Sequence, residues 1–119
     1  MYVRKNIDEL KGKILTEIVK DDDYGDQIIF TCLDGDRYKM YHPQDCCESV
    51  YIESIVGDLD DLLNSEILEA EEVSQENTDY GESFTWTFYK LGTRKGSVTI
   101  RWYGTSNGYY SESADFIKL

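Results

Sequence analysis

The chain has 119 residues and a mass of 13.8 kDa, room for one domain over residues 1–119. Apolar residues at 40% and aromatics at 13% suffice for a modest core and argue against a disordered tail. Twelve Lys and Arg against 24 Asp and Glu leave a net charge of −12, which disfavours direct binding to nucleic acid, since neutralising phosphates needs a basic footprint.

The elements predicted from periodicity are mostly short strands. Asn6 reads as an N-cap, with Glu9 three positions on and Gly12 past the end, so a brief helix is expected there. Ile14 to Lys20 reads as a strand with Ile14, Thr16 and Ile18 on one face and Leu15, Glu17 and Val19 on the other. Residues 21–26 form a loop. Gln27 to Leu33 alternates Ile28, Phe30 and Cys32 on a shared face. Asp34-Gly35 then predicts a two-residue hairpin turn with positive φ at both central positions, leading into Arg37 to His42. Pro43 ends that strand.

Ser49 to Val56 is a weaker strand. Asp58 predicts the cap of a second short helix, with Leu59, Leu62 and Leu63 as its apolar stripe and a stop near Asn64. Ser65 to Ser74 mixes helical and extended signals and is assigned to strand. The last third is strongly β: Ser83 to Leu91 and Ser97 to Tyr103 are rich in aromatic and β-branched residues. They are expected to pair through a basic loop over 92–96, burying Phe84, Trp86, Phe88, Val98, Ile100 and Trp102. Asn107-Gly108 predicts a further hairpin into a final strand over 109–117. The expected fold class is α+β and strand-dominated, an antiparallel sheet or open barrel of β-hairpins with two short helices.

Apolar runs fall far short of the roughly 20 residues needed to cross a bilayer, and no apolar stretch follows Arg4 and Lys5. No membrane contact and no secretory leader are expected. Three cysteines, two of them adjacent, make a poor disulfide framework; reduced thiols and a cytoplasmic location are the expectation, with Cys32 in the core.

The charges are segregated. Between Lys39 and Lys90 lie fifty positions with no Lys or Arg and thirteen acids, among them Asp58, Asp60, Asp61, Glu71 and Glu72. Such a segment is either solubilising, relieved by cations from elsewhere, or a negative surface for a basic protein. Asp21, Asp22, Asp23 and Asp26 could offer oxygens to a cation but lack the spaced pattern of a calcium loop.

Reactive side chains gather at His42-Pro-Gln-Asp45-Cys46-Cys47-Glu48. Imidazole, thiolate and carboxylate are zinc donors, yet the spacing does not match structural zinc pairs. No cofactor is assigned. The favoured reading is a structural corner in which Asp45 holds the turn. No phosphate-cradling, dinucleotide, nucleophile-elbow or zinc-protease motif occurs, so an enzyme is not expected. The better binding candidate is the C-terminal stretch, where Tyr103, Asn107, Tyr109 and Tyr110 combine amphipathic rings with adaptable polar groups. Arg101, Arg94 and Lys95 are close enough in sequence to suggest phosphate contacts beside those rings.

The blocks Asp34-Gly-Asp-Arg-Tyr38, His42-Pro-Gln-Asp-Cys-Cys-Glu-Ser-Val-Tyr51, Thr85-Trp-Thr-Phe-Tyr-Lys-Leu91 and Lys95-Gly-Ser-Val-Thr-Ile-Arg-Trp-Tyr-Gly104 occur in order, followed by Ser106-Asn-Gly-Tyr-Tyr-Ser111. Together they resemble a family of small uncharacterised domains of bacteriophages and prophages, over residues 8–119. The resemblance implies an accessory protein of a bacterial cytoplasm and carries no known catalytic residue. Two functions follow as expectations. One is a non-enzymatic inhibitor that binds a basic host or anti-phage defence protein through the acidic surface, with a homo-oligomer also open. The alternative is a binder that sequesters a nucleotide immune signal at the Tyr-rich C-terminal hairpin.

Overall fold

A computed structural model of the chain describes residues 3–23, 25–79 and 82–119. Tyr24, inside the predicted loop over 21–26, falls outside them. Among these residues nine strands are formed: β1 (Val3–Arg4), β2 (Leu15–Asp21), β3 (Gln27–Cys32), β4 (Arg37–Tyr41), β5 (Ser49–Val56), β6 (Glu69–Asp79), β7 (Glu82–Thr93), β8 (Gly96–Ser106) and β9 (Asp115–Lys118). They make two antiparallel sheets, ordered β1-β9-β4-β3-β2 and β5-β8-β7-β6. Both sheets contribute to one core: Ile28, Phe30, Tyr38, Met40 and Phe116 from the first, Tyr89, Leu91, Val98, Ile100 and Trp102 from the second.

Among the described residues the architecture is therefore nearly all β, with no closed barrel, and corrects the α+β expectation. Both predicted helices exist only as single 3₁₀ turns, Ile7–Leu10 and Leu59–Leu62. Their caps are where the sequence puts them. Asn6 Oδ1 accepts from the amide of Asp8 (3.1 Å), and Asp58 Oδ1 from that of Asp60 (2.9 Å). Four residues cannot close enough α-type bonds to offset nucleation, so each segment stays a tight turn that plugs Ile7, Leu10 or Leu62 into the core.

The first hairpin forms as expected, with Phe30 opposite Tyr38 and Ile28 opposite Met40. Its turn is longer than predicted. The Gly35 amide donates to the Cys32 carbonyl (3.0 Å) and Cys32 N to Asp36 O (2.8 Å), while positive φ occurs at Gly35 (95°) and not at Asp34. This is a three-residue loop with glycine in the left-handed position. Lys13 Nζ pins it, reaching Asp34 (2.7 Å) and Asp36 (3.0 Å). In β2 a bulge between Leu15 and Glu17 breaks the predicted alternation, so Leu15 is buried and Ile18 packs on the same core.

β7 and β8 pair over the predicted residues, but with strands running on to Thr93 and Gly96 around an Arg94-Lys95 turn. That register sets Val98 opposite Leu91, Ile100 opposite Tyr89 and Trp102 opposite Thr87. Thr85, Thr87, Tyr89 and Leu91 consequently face inward and are buried. Phe84, Trp86 and Phe88 face away from the core, which corrects their predicted burial. The buried Thr87 hydroxyl and the Trp102 indole N–H lie on opposed residues, and neither has a hydrogen-bond partner.

The predicted C-terminal hairpin does not form. After Ser106 the chain leaves the second sheet, and β9 pairs with β4 and β1 in the first. The crossing segment lies directly on β8: a Cβ on Gly104 would sit 2.0 Å from the Glu112 carbonyl oxygen. Backbone approach at a mid-strand glycine thus replaces strand pairing.

Candidate functional site

The outward face of the second sheet carries an aromatic field. Trp86 lies opposite Tyr103 across the β7–β8 pair, their ring centroids 4.6 Å apart. Phe84 contacts Tyr103 (6.2 Å), Tyr51 of β5 adds an edge contact to the same ring (6.0 Å), and Phe88 stacks parallel to Trp86 (5.8 Å, 4°). The Arg101 guanidinium sits over both Trp86 (5.0 Å) and Phe88 (5.7 Å) and reaches Glu53 (3.5 Å). Phe84, Trp86, Phe88 and Tyr103 are half-buried against one another, and Tyr51 is 44% exposed. Large rings stacked on a sheet and lapped by a guanidinium offer a flat, rigid contact surface that loses little side-chain entropy on binding.

Arg101 and Tyr103 were both legible candidates, and the structure brings them together here. At one end of the field a cleft of about 340 Å³ is lined by Cys47, Glu82, Ser83, Phe84, Tyr103, Thr105, Ser106 and Asn107. Asn107 lines this cleft together with Tyr103. Tyr109 and Tyr110 do not. They touch each other edge to face (5.0 Å), Tyr109 is 82% exposed, and Tyr110 lines a separate cleft beside Glu112. Arg94 and Lys95 turn the chain at the far end of β8, about ten residues or roughly 33 Å from Asn107. Lys95 Nζ donates to the Leu63 carbonyl there. The proposed grouping of tyrosines with those cations is not assembled.

The predicted acidic residues also fall in two places. Asp58, Asp60 and Asp61 belong to the second 3₁₀ turn; Asp58 caps it, and Asp61 packs beside Gly96. Glu71 and Glu72 are consecutive on β6, so they point to opposite faces, Glu71 beside Lys90 and Glu72 beside Tyr89. Residues 71–77 are exposed throughout. Among the described residues, the salt bridge that reaches the cation-free segment from outside it is Glu53 with Arg101; Glu48 hydrogen-bonds His42 within it.

The cysteine corner differs from its prediction. Cys46 and Cys47 are bonded as a disulfide, so the expectation of reduced thiols fails for them. Cys32 is free and buried, and burial pushes its thiol pKa up. Glu48, not the Asp45 carboxylate, holds the turn. Its buried carboxylate accepts from the amides of Asp45 (2.9 Å) and Cys46 (2.8 Å), from Gln44 Nε2 (3.1 Å), and pairs with His42 Nε2 (2.8 Å). Burial alone would raise the pKa of Glu48. The amide and imidazole hydrogen bonds overcome it and hold the group at about 2. His42 Nδ1 lies 2.8 Å from the Ser113 carbonyl, so both ring nitrogens are engaged in tying the corner to the crossing segment. With the thiols bonded and the imidazole occupied, His42, Asp45, Cys46 and Cys47 do not present a metal-ligand set, and no metal-ligating cluster is found among the described residues. In the first loop, Asp26 accepts from the Ile52 amide (2.7 Å) and Asp21 from Gln27 Nε2 (2.8 Å).

Glu112 is the second buried carboxylate. Thr85 donates to it (2.8 Å), as do Ser83 and Ser106. Burial opposes its ionisation, but these hydroxyls outweigh that and lower its pKa. It anchors the crossing segment and was not singled out from sequence. The signal was present, since hydroxyls spaced by two on one strand line one face.

No helix among the described residues is long and apolar enough to cross a membrane. Residues 8–116 match the family described as a domain of unknown function, DUF7448, and the chain belongs to that family. No curated protein and no solved structure matches it.

Proposed function

We propose that the chain is a non-enzymatic protein-binding domain whose contact surface is the outer face of the β5-β8-β7-β6 sheet. The observation that carries this reading is the row Phe84, Trp86, Phe88 and Tyr103 turned away from the core with Arg101 laid across it. Interfaces concentrate binding energy in central aromatic and arginine side chains. The acidic β6 beside this row supplies charge that draws in a basic partner and adds more to association rate than to final affinity. The resemblance to phage and prophage domains supports a partner in a bacterial cytoplasm, with inhibition of a host or defence protein as the working function. The test is capture from bacterial lysate by wild type, by Tyr51→Ala/Tyr103→Ala and by Glu71→Lys/Glu76→Lys. Both double variants should fold and lose the same captured protein, the second one most at low salt. Retention of that protein by Tyr51→Ala/Tyr103→Ala would end the assignment to this face.

The cleft beside Tyr103 and Asn107 supports a second reading. Its volume is within the range of small-ligand pockets. Its lining contains Glu82 and no cation, so a neutral planar or hydroxylated molecule suits it better than the phosphates of a nucleotide signal. Thermal-shift screening of neutral nucleosides and sugars against nucleotides separates these, because bound ligand raises the melting temperature.

A further inference from the structure

We propose that Cys46 and Cys47 are a redox-active pair that exchanges with external thiols, and that its state sets how firmly the Glu48 corner is held. The proposal goes beyond the protein-binding reading and does not depend on it. The two residues are bonded to each other, and both are exposed. Cys47 also lines the cleft beside Phe84, Tyr103 and Asn107, so a small thiol has a route to its sulfur. Exposed disulfides are the ones that reduce readily, whereas those that staple a core resist reduction. Cys32 takes no part. It is 3% exposed at the hairpin end of β3, while the pair follows the far end of β4. Burial raises its thiol pKa, which keeps it unreactive.

The bond is coupled to the backbone around it. Side chains of adjacent residues in an extended chain point to opposite sides, so joining their sulfurs requires a bend. Cys46 and Cys47 occupy such a bend, between β4 and β5. The amides of Asp45 and Cys46 are thereby aimed at the Glu48 carboxylate, 2.9 and 2.8 Å away. Glu48 in turn holds His42, and His42 reaches the Ser113 carbonyl of the crossing segment. Reduction frees the two side chains and removes the covalent reason for the bend, so it loosens this series of hydrogen bonds at its first link. The chemistry is a two-stage exchange. A thiolate of an external dithiol attacks Cys47 Sγ, the S–S bond breaks, and Cys46 leaves as a thiolate that takes a proton from water. The second thiol of the reductant, as thiolate, then attacks the mixed disulfide and releases Cys47, which is protonated in the same way. Net, two electrons and two protons pass from the dithiol to the pair, and the reductant leaves as its cyclic disulfide.

The test uses the folded wild-type chain in both states. Dithiothreitol, without denaturant, should add the mass of two hydrogens and open Cys46 and Cys47, but not Cys32, to iodoacetamide. The reduced chain should bind phenylarsine oxide in equal amount, because that arsenical bridges neighbouring thiols with loss of water, and Cys46→Ser should abolish the binding. Amide exchange at Asp45 and Cys46 should quicken about tenfold or more on reduction, and slow again when glutathione disulfide reoxidises the pair. A bond that reduces only after unfolding would overturn the proposal. So would a reduced pair that glutathione disulfide fails to reoxidise in the folded chain, or amide exchange that is equal in the two states.

Discussion

Glu48 shows how one side chain can organise a corner. It is buried, yet it accepts hydrogen bonds from two successive amides and faces the imidazole of His42. Its folded pKa of about 2 lies below the ordinary 4.5, so the stabilisation is present above about pH 4.5 and is lost as pH falls toward 2. Glu48→Gln should therefore melt several degrees below wild type at neutral pH, and the difference should shrink through that acid window. A gap that stays constant down to pH 2 would show that the charge is not what the corner needs. Gly104 makes a separate demand. A Cβ there meets backbone 2.0 Å away, so Gly104→Ala should cost about 3 kcal/mol, near the upper end for forced overpacking. Gly108 has open space around it and only its φ of 92° to defend, so Gly108→Ala should cost about 1 kcal/mol. Chemical denaturation of both variants measures the contrast.

At the scale of elements, β7 is where sequence and structure part. A loop spanning 92–96 would close on Leu91 and Ser97 and set Trp86 opposite Trp102, with the aromatic row inside. The actual turn is Arg94-Lys95, and Leu91 meets Val98. One residue of slip exchanges the two faces of a strand, so aromatic side chains expected in the core face outward instead. The better guide was β8, whose Val98, Ile100 and Trp102 alternate with polar partners and leave no doubt about their face. Strand existence, the first hairpin and both caps were legible because they depend on local chemistry. The fate of residues 107–114 was not, because it depends on β9 finding β4 in the other sheet, although a glycine in mid-strand at 104 signalled a close approach. The face assignment is measurable by fluorescence. Trp102→Phe leaves Trp86, whose emission acrylamide should quench readily. Trp86→Phe leaves Trp102, 1% exposed, which should emit further to the blue and resist quenching. The reverse pattern would place the aromatic row inside after all.

For the molecule as a whole, the excess of acids acts in two opposite directions on the same salt axis. Folding gathers 24 carboxylates and 12 cations, and among the described residues Lys13 and Lys118 pair with the Asp34 and Asp36 turn of the first hairpin, Arg4 with Asp115, Lys5 with Glu9 and Arg101 with Glu53. β6, exposed over 71–77, keeps Glu71, Glu72 and Glu76 within a few residues of one another. Their mutual repulsion is a cost of the compact state that screening relieves, whereas the exposed ion pairs each contribute little and weaken under the same screening. Repulsion is the larger effect at a net charge of −12. The melting temperature should therefore rise between about 20 mM and about 500 mM NaCl, as the screening length shrinks from tens of ångströms to a few. Capture of a basic partner should fall over the same range. Glu71→Gln/Glu76→Gln should lift the low-salt melting temperature and flatten its rise, because it removes repelling charges without adding cations. A melting temperature that falls with salt would show that the ion pairs dominate, and the acidic edge would then have to be stabilised by contacts other than screening.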